Sequence, residues 1–265
     1  MRLAGPRIAA LAATLAAFTL ALGCGGGSTG TERADAATPQ ELAAQIAAND
    51  ELLRRGIVEW IAAAGDPPAL PPPESVLTSA RILQAQVRFL AKRRSPTKAT
   101  IAALPPTLGA QISSLVAASR KLARLSAGAR KRKLKVGEPS PLSELVSHYR
   151  KAEGGHRVGA HYLAAINLVE TKFGRVKSRS TAGAQGPMQF IPSTWRIYGR
   201  GSINDPHDAI QAAARLLRDR GAPRSYARAL YAYNPSKLYV RAVTIYAKLI
   251  AREPHAIHFL YCWAP

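Results

Sequence analysis

Apolar residues recur at helical spacing over much of the chain, and the first such run begins near residue 38. Thr38, Pro39 and Glu41 stand in the order of a capping box, with a hydroxyl at the N-cap and a carboxylate that can reach back to it. The apolar stripe behind this cap consists of Leu42, Ile46, Leu52, Leu53, Ile57 and Trp60. Gly65 and the prolines that follow end the run. The pattern predicts a long amphipathic helix.

The same periodicity predicts further helices over residues 75–92, 106–125, 209–218 and 237–251, and no alternating strand pattern of useful length occurs. Shorter helical segments are expected from Pro192 and before Pro235. We therefore predict an all-α protein with a helical N-terminal region at 38–138 and a second helical domain at 139–265. The break falls in the proline- and glycine-containing stretch 137–141.

The start of the chain has the shape of a secretory signal. Arg2 and Arg7 precede an apolar, alanine-rich run at 8–22, and Gly23-Cys24 resembles the end of a bacterial lipobox. We expect residues 1–24 to be the signal, Cys24 to be lipidated, and residues 25–37 to be a flexible tether. The protein would then be exported and held at the outer face of the cytoplasmic membrane, or elsewhere in the cell envelope. A conventional cleaved signal and an uncleaved anchor are the alternatives.

Charge is the other strong compositional feature. The formal net charge is +21, and no acidic residue lies between Glu74 and Glu138. The basic segment at 130–133 and Lys135 end this stretch. For an exported protein the expected partners are anionic wall polymers or lipid headgroups, attracted diffusely, although a solvated linker explains the segment equally well. Aromatic residues interleaved for base stacking are missing, so no specific nucleic acid is expected.

Cysteine and histidine usage predicts neither a metal site nor a cofactor. If Cys24 is acylated, Cys262 has no partner for a disulfide, and its apolar surroundings favour a buried, inert thiol. The histidines show no metal-ligand spacing. His156 and His161 lie near a predicted loop-to-helix junction, where surface or capping roles suit them better than sugar binding.

One carboxylate lies on the apolar side of a predicted helix. Leu163, Ile166 and Phe173 share a helical face with Glu170, so that its side chain is expected to face the interior or a cleft. Burial disfavours the charged form, and the negative end of a helix closing at Gly174 acts in the same direction. Glu170 is therefore a candidate general acid, still protonated near neutral pH. A solvated or salt-bridged glutamate is the alternative.

A glycine-punctuated loop at 180–189 follows, and it leads into the short helix at Pro192. Gly183 and Gly186 would let the backbone approach a ligand closely. Ser180 and Gln189 offer neutral hydrogen-bonding groups suited to hydroxyls and amides, such as those of an N-acetylated sugar. An ordinary tight loop is the alternative.

Together these pieces resemble the lytic transglycosylases over about residues 141–250. The matching residues are Glu170-Thr171-Lys172-Phe173, Ser180, Gly183-Ala184, Gly186, Met188-Gln189, Pro192 and Thr194, and then Ala232-Tyr233-Asn234. Four positions depart from the commoner pattern: Thr171 stands in place of serine, Pro187 in place of leucine, and Pro235-Ser236 in place of Ala-Gly. Pro235 bears most on the loop behind Asn234.

The resemblance implies a lysozyme-like fold and peptidoglycan glycan strands as the substrate. Such enzymes cut the β-1,4 bond between N-acetylmuramic acid and N-acetylglucosamine without adding water, and leave a 1,6-anhydro sugar. Glu170 would protonate the leaving oxygen and then act as base, while the substrate's acetamido group stabilises the intermediate. The implied substrate-binding residues are Ser180, Met188, Gln189, Tyr233 and Asn234.

The distribution of acids is consistent with a one-acid mechanism. Ordinary glycosidases use two carboxylates that flank the bond, but no Asp or Glu occurs between Glu170 and Asp205. Asp208 is expected to cap the helix at 209–218. A hydrolytic lysozyme on the same fold and a non-catalytic wall-binding protein are the alternative functions.

Overall fold

The computed structural model describes residues 37–93, 95–127 and 133–265. The predicted signal, Cys24, tether residues 25–36 and basic residues 130–132 lie outside these ranges. Within them the chain forms eleven helices and no strand, with two isolated bridges, Val136 to Val176 and Gln185 to Phe190. The all-α prediction is confirmed.

The helices follow one another as α1 (Pro39–Ala64), α2 (Glu74–Lys92), α3 (Ser95–Ala102), α4 (Pro106–Leu125), α5 (Leu142–His156), α6 (Ala160–Thr171), α7 (Pro192–Tyr198), α8 (Pro206–Asp219), α9 (Tyr226–Tyr233), α10 (Lys237–Arg252) and α11 (Ala256–Tyr261). Residues 37–265 form one compact unit. The domain boundary near 137–141 stays a prediction.

The capping box of α1 forms as the sequence predicts. The backbone N–H of Glu41 donates to Thr38 Oγ1 at 3.2 Å, and the N–H of Thr38 donates to Glu41 Oε2 at 2.8 Å. Two orphan donors of the helix start are thereby satisfied. In the apolar stripe Ile46, Leu53, Ile57 and Trp60 are buried and Leu42 is half-buried, whereas Leu52 is 58% exposed because it lies off the stripe's face.

Helix α3 was not predicted, and its composition explains why. Its buried face is made of Thr97 and Thr100 rather than of aliphatic side chains. The Thr97 hydroxyl donates to the carbonyl of Leu90 at 2.8 Å, at the end of α2. A hydroxyl that finds a buried acceptor can occupy a core position, but it leaves no apolar period in the sequence.

The central helix is α6, which is buried on most of its surface and packs against α5, α8, α10 and α11. Helix α10 packs against both α4 and α6. This arrangement brings the first turns of α10 beside the end of α6. Residues that are far apart in sequence therefore meet at the C-terminus of the central helix.

The start of α8 corrects one expectation. Asp205, not Asp208, is the N-cap, because its carboxylate accepts the N–H of Asp208 at 2.9 Å and Pro206 takes the first helical position. Asp208 instead accepts the N–H of Ser202 at 2.8 Å. Proline at the first helical position begins the helix three residues earlier than the apolar period suggests.

Candidate active site

Glu170 lies in the last turn of α6, and the helix ends one residue later. The expectation that the helix closes at Gly174 is wrong. Lys172, Phe173 and Gly174 have φ of +53°, +60° and +86°, so three consecutive left-handed residues turn the chain away from the helix axis. The backbone beyond Glu170 therefore leaves the helix and does not cover it with another helical turn.

A buried hydrogen-bond network attaches the glycine loop to this helix end. The Thr171 hydroxyl donates to the carbonyl of Pro187 at 2.6 Å, and it accepts the N–H of Gly174 at 2.9 Å. The amide of Asn167 donates to the same Pro187 carbonyl at 2.8 Å and accepts from the Tyr149 hydroxyl at 2.7 Å. All these groups are paired inside the core, so the loop is fixed relative to Glu170.

The carboxyl group of Glu170 is half-buried and has one neutral partner. The hydroxyl of Tyr239 donates to its Oε1 at 2.7 Å. Burial raises the pKa of Glu170 from 4.5 to about 7, and the Tyr239 hydrogen bond and the charge of Lys172 oppose this only in part. This pKa agrees with the expectation of an acid that is still protonated near neutral pH.

Two tyrosines stand side by side next to the carboxyl group. The rings of Tyr233 and Tyr239 are parallel within 4°, with centroids 6.4 Å apart. The Tyr233 hydroxyl donates to the backbone carbonyl of Met188 at 2.6 Å. Tyr239, rather than Tyr233, is therefore the tyrosine that binds the acid. The sequence predicts the helix at 237–251 but gives no signal for Tyr239, because a tyrosine on an amphipathic helix has the pattern of an ordinary core residue.

The glycine loop closes through its own polar groups. Ser180 Oγ accepts the N–H of Ala184 at 3.0 Å. Gly183 and Gly186 have φ of +78° and +76°, and a Cβ on Gly186 would overlap the carbonyl oxygen of Ile203. Only glycine can occupy that position without moving the neighbouring chain.

The other predicted binding residues differ in their solvent exposure. Ser180 is exposed, and the side chains of Gln189 and Asn234 are half-buried. Gln189 donates through Nε2 to the Gly186 carbonyl at 3.1 Å. Met188 is fully buried, so it presents its backbone carbonyl to Tyr233 while its side chain packs in the core.

Asn234 ends α9, where its N–H donates to the Leu230 carbonyl at 2.9 Å. Its side-chain amide makes no hydrogen bond within the described ranges. The amide is therefore free to bind a ligand, and Pro235 follows it in the turn into α10. Tyr239 thus links Glu170 to Tyr233, and Tyr233 in turn binds the carbonyl of Met188. Ser180 and Asn234 lie outside the helices, on the neighbouring loops.

Local contacts explain the positions of His156, His161 and Cys262, for which the sequence predicts no catalytic role. His156 Nε2 lies 2.9 Å from Gln211 Oε1, and His161 packs against Tyr162. Cys262 is buried, and burial raises the pKa of its thiol to about 12, which is consistent with an inert thiol. In the described part of the chain, Asp205, His207 and Asp208 form a group of potential metal ligands. The two carboxylates already accept hydrogen bonds from the backbone N–H groups of Asp208 and Ser202.

The comparison with known families covers this site. Residues 147–248 match the model of the transglycosylase SLT domain, a span that runs from α5 to α10 and contains Glu170, the glycine loop and both tyrosines. No curated protein and no solved structure gives a significant match. The family supports peptidoglycan as substrate and lytic transglycosylase activity in general. Residues 147–248 of this chain are therefore a transglycosylase SLT domain, with the all-α, lysozyme-like fold of the lytic transglycosylases.

Proposed function

We propose that this protein cleaves the β-1,4 bond between N-acetylmuramic acid and N-acetylglucosamine without water, with Glu170 as its single acid and base. The observation that carries the proposal is the environment of the Glu170 carboxyl group. It is half-buried, its pKa is about 7, and its Oε1 is bound by a neutral hydroxyl. A carboxylic acid with this pKa is matched to proton donation near neutral pH.

The proposed reaction has two proton transfers at one carboxyl group. Glu170 donates its proton to the glycosidic oxygen as the bond from that oxygen to the muramic anomeric carbon breaks. The Glu170 carboxylate then accepts the proton of the muramic C6 hydroxyl, whose oxygen bonds to the anomeric carbon and closes the 1,6-anhydro ring. The acid is regenerated in its protonated form, and no water is consumed.

The absence of a nearby second acid supports this mechanism over ordinary hydrolysis. Within the described residues, the groups that shift the pKa of Glu170 are Tyr239 and Lys172, and neither is a carboxylate. An inverting or retaining hydrolase places a second carboxylate across the scissile bond. The Tyr239 hydroxyl occupies Oε1, which leaves Oε2 to carry the transferred proton.

Contacts to the sugar come from the loops around the acid. Ser180, Gln189 and Asn234 offer exposed or half-buried polar groups suited to hydroxyl and acetamido groups. Tyr233 and Met188 act through their mutual hydrogen bond, which fixes the wall of the site beside Tyr239. Their role in substrate binding is thus to shape the site.

The test of this function is the product of digestion. Purified peptidoglycan treated with the full chain should give muropeptides lighter by one water than hydrolysis products, as read by mass spectrometry. Glu170→Gln should abolish release while leaving pelleting with insoluble peptidoglycan intact. Reducing ends would show a lysozyme-type hydrolase instead, and near-native release by Glu170→Gln would show that another group is the acid.

The location of the protein is a second part of the proposal. The charged start, the short apolar run and Gly23-Cys24 support export and a lipid anchor on Cys24. Among the described residues, no helix has the length and apolar character needed to cross a membrane. Metabolic labelling with a palmitate analogue should mark the native chain and not Cys24→Ala; equal labelling of both would remove the anchor from the proposal.

A further inference from the structure

A recess lined by basic side chains lies between α2, α4 and the C-terminal part of the chain. One cavity of about 620 Å³ lies between α2 and α4 and reaches Lys172, Tyr246 and Trp263. A second cavity of about 620 Å³ shares Gln84, Arg88 and Lys92 with the first, so the two are continuous. We call this recess the cationic groove, and its basic residues are Arg81, Arg88, Lys92, Arg93, Arg120, Arg124 and Lys172.

Most of the positive charge in the groove has no acidic partner: among its described basic residues, Arg81 forms an ion pair, with Glu74 at 3.9 Å. No acidic side chain is among the described residues that line it. Arg88, Lys92 and Arg124 are exposed, and they form no ion pair or hydrogen bond with any residue in the described ranges. Arg120 differs, since its guanidinium donates to the carbonyls of Leu90, Ala91 and Arg93 and so attaches α4 to the end of α2.

The inner wall of the groove is formed by Lys172, which follows the catalytic candidate by two positions. Its Nζ donates to the Leu168 carbonyl at 3.2 Å. Burial lowers the pKa of Lys172 to about 8, and the positive charge of Arg88 acts in the same direction. Arg88 and Lys172 thus repel each other, and an anion bound between them would relieve that repulsion.

We propose that the cationic groove binds a single strand of a soluble phosphodiester polymer, the class of polyanion that an exported protein meets in a cell wall. Arg81, Arg88 and Lys92 lie seven and four residues apart on α2, a row about 16 Å long at 1.5 Å per residue. A row of that length matches successive phosphate groups along one polymer strand better than it matches a single small anion.

The shape of the groove and the direction of its donors favour this ligand. Arg88, Lys92, Arg124 and Lys172 line the part of the groove between α2 and α4, whereas Arg81 and Arg93 continue it along α2. A flat lipid bilayer would not enter the part between the helices. The cations come from three separate parts of the chain, namely α2, α4 and the end of α6. A tetrahedral phosphate accepts hydrogen bonds from several sides, whereas a carboxylate accepts them close to one plane.

The test is calorimetric titration of the full chain with an oligomer of poly(glycerol phosphate) at 0.15 M salt, without peptidoglycan. The variant Arg88→Gln/Lys92→Gln removes two charges from the groove. The matched control, Lys151→Gln/Lys248→Gln, removes two exposed charges that do not line it. The groove variant should lose about tenfold or more in affinity, and the control less than about twofold. The reason is that losing direct contacts with the polymer weakens binding more than the same change in net charge elsewhere on the surface.

Three results would overturn the proposal. Equal losses in both variants would mean that only the net charge attracts the polymer. Inorganic phosphate binding as tightly as the oligomer would mean a site for one small anion. Arg88-dependent binding of phosphatidylglycerol vesicles, without binding of the oligomer, would make the groove a membrane contact.

A second substitution keeps the test independent of α2. Arg124→Gln, on α4, should weaken oligomer binding severalfold, and an unchanged affinity would remove α4 from the site.

Peptidoglycan digestion by the groove variants separates this proposal from the proposed function. Lost oligomer binding with unaltered product release shows a groove that is separate from the catalytic acid.

Discussion

The hydroxyl of Tyr239, in the first turn of α10, donates to Oε1 of Glu170 in the last turn of α6, at 2.7 Å and across 69 positions of sequence. This hydrogen bond favours the carboxylate, whereas burial favours the protonated acid. Burial is the larger effect, and the pKa of Glu170 is about 7. The balance between packing and one tyrosine hydroxyl thus sets the protonation of the candidate acid.

Replacing Tyr239 with phenylalanine should raise the pKa of Glu170 further. The substitution removes the hydrogen bond that stabilises the charged form and keeps most of the packing. The alkaline limb of the pH profile of kcat/KM should move to higher pH, and the rate at neutral pH should change because the carboxyl is less well oriented. Initial rates of peptidoglycan clearance between pH 5 and 9 measure both effects.

The matched control for that experiment is Tyr246→Phe. Tyr246 is also buried on α10, two helical turns further on, and no contact joins it to Glu170 within the described residues. Its pH profile should match that of the wild type. A Tyr239→Phe profile that also matches would contradict the assignment of Tyr239 to the acid.

The wild-type protein should lose activity as the pH rises through about 7. The first step needs the protonated acid, and Glu170 loses its proton in that range. The alkaline midpoint of kcat/KM at constant ionic strength is the measurement. Activity that stays level up to pH 9 would be incompatible with Glu170 as the proton donor.

Glu170→Gln should stabilise the protein at alkaline pH. The folded-state pKa lies above the unfolded value, so the folded state holds an extra proton between about pH 4.5 and 7. The stability of the fold with a protonated Glu170 is fully present below pH 4.5, and it is lost as the pH rises through about 7. The neutral glutamine avoids the loss, so at pH 8 the free energy of unfolding of the variant should exceed that of the wild type by about 3 kcal/mol.

Urea unfolding of both proteins at pH 4.5 and pH 8 provides the comparison. The difference between the two free energies of unfolding should grow with pH. A difference that is the same at both values would mean that Glu170 is not desolvated in the folded state.

Thr171→Ala should destabilise the site by about 2–3 kcal/mol, because it leaves the Gly174 N–H and one contact of the Pro187 carbonyl unpaired in the core. Thr171→Ser retains the hydroxyl and should recover most of the stability and activity. Thermal unfolding and peptidoglycan digestion of the pair provide the measurement. Equal loss in the serine variant would mean that the methyl group, not the hydroxyl, holds the loop.

Gly186→Ala should be far more damaging than Gly183→Ala. Both glycines have positive φ, so each substitution carries backbone strain of about 1 kcal/mol. At Gly186 the new Cβ would also overlap the Ile203 carbonyl, whereas nothing lies within 4 Å at Gly183. Free energies of unfolding that differ by less than about 1 kcal/mol would show that the loop moves to make room.

Local signals in the sequence were sufficient for several parts of the site. The apolar residues around Glu170 placed it on a buried face, and the family motifs marked the glycine loop and Tyr233. They did not reveal the polar connections inside the core. Asn167 looks like a polar interruption in an apolar run, and only packing shows that Tyr149 and Pro187 satisfy it.

The amino-acid order alone determined most of the helical segments, although not α3, and it set where α1, α2 and α4 begin and end. It also indicated which carboxyl group is shielded from water, because period and capping are properties of neighbouring residues. The tertiary structure decided that Tyr239 meets that carboxyl, that Asp205 rather than Asp208 caps α8, and that the unpaired cations of α2 and α4 face one recess. The physical reason is that a contact between distant segments depends on how helices pack, and the angle and register of that packing leave no local mark in the chain.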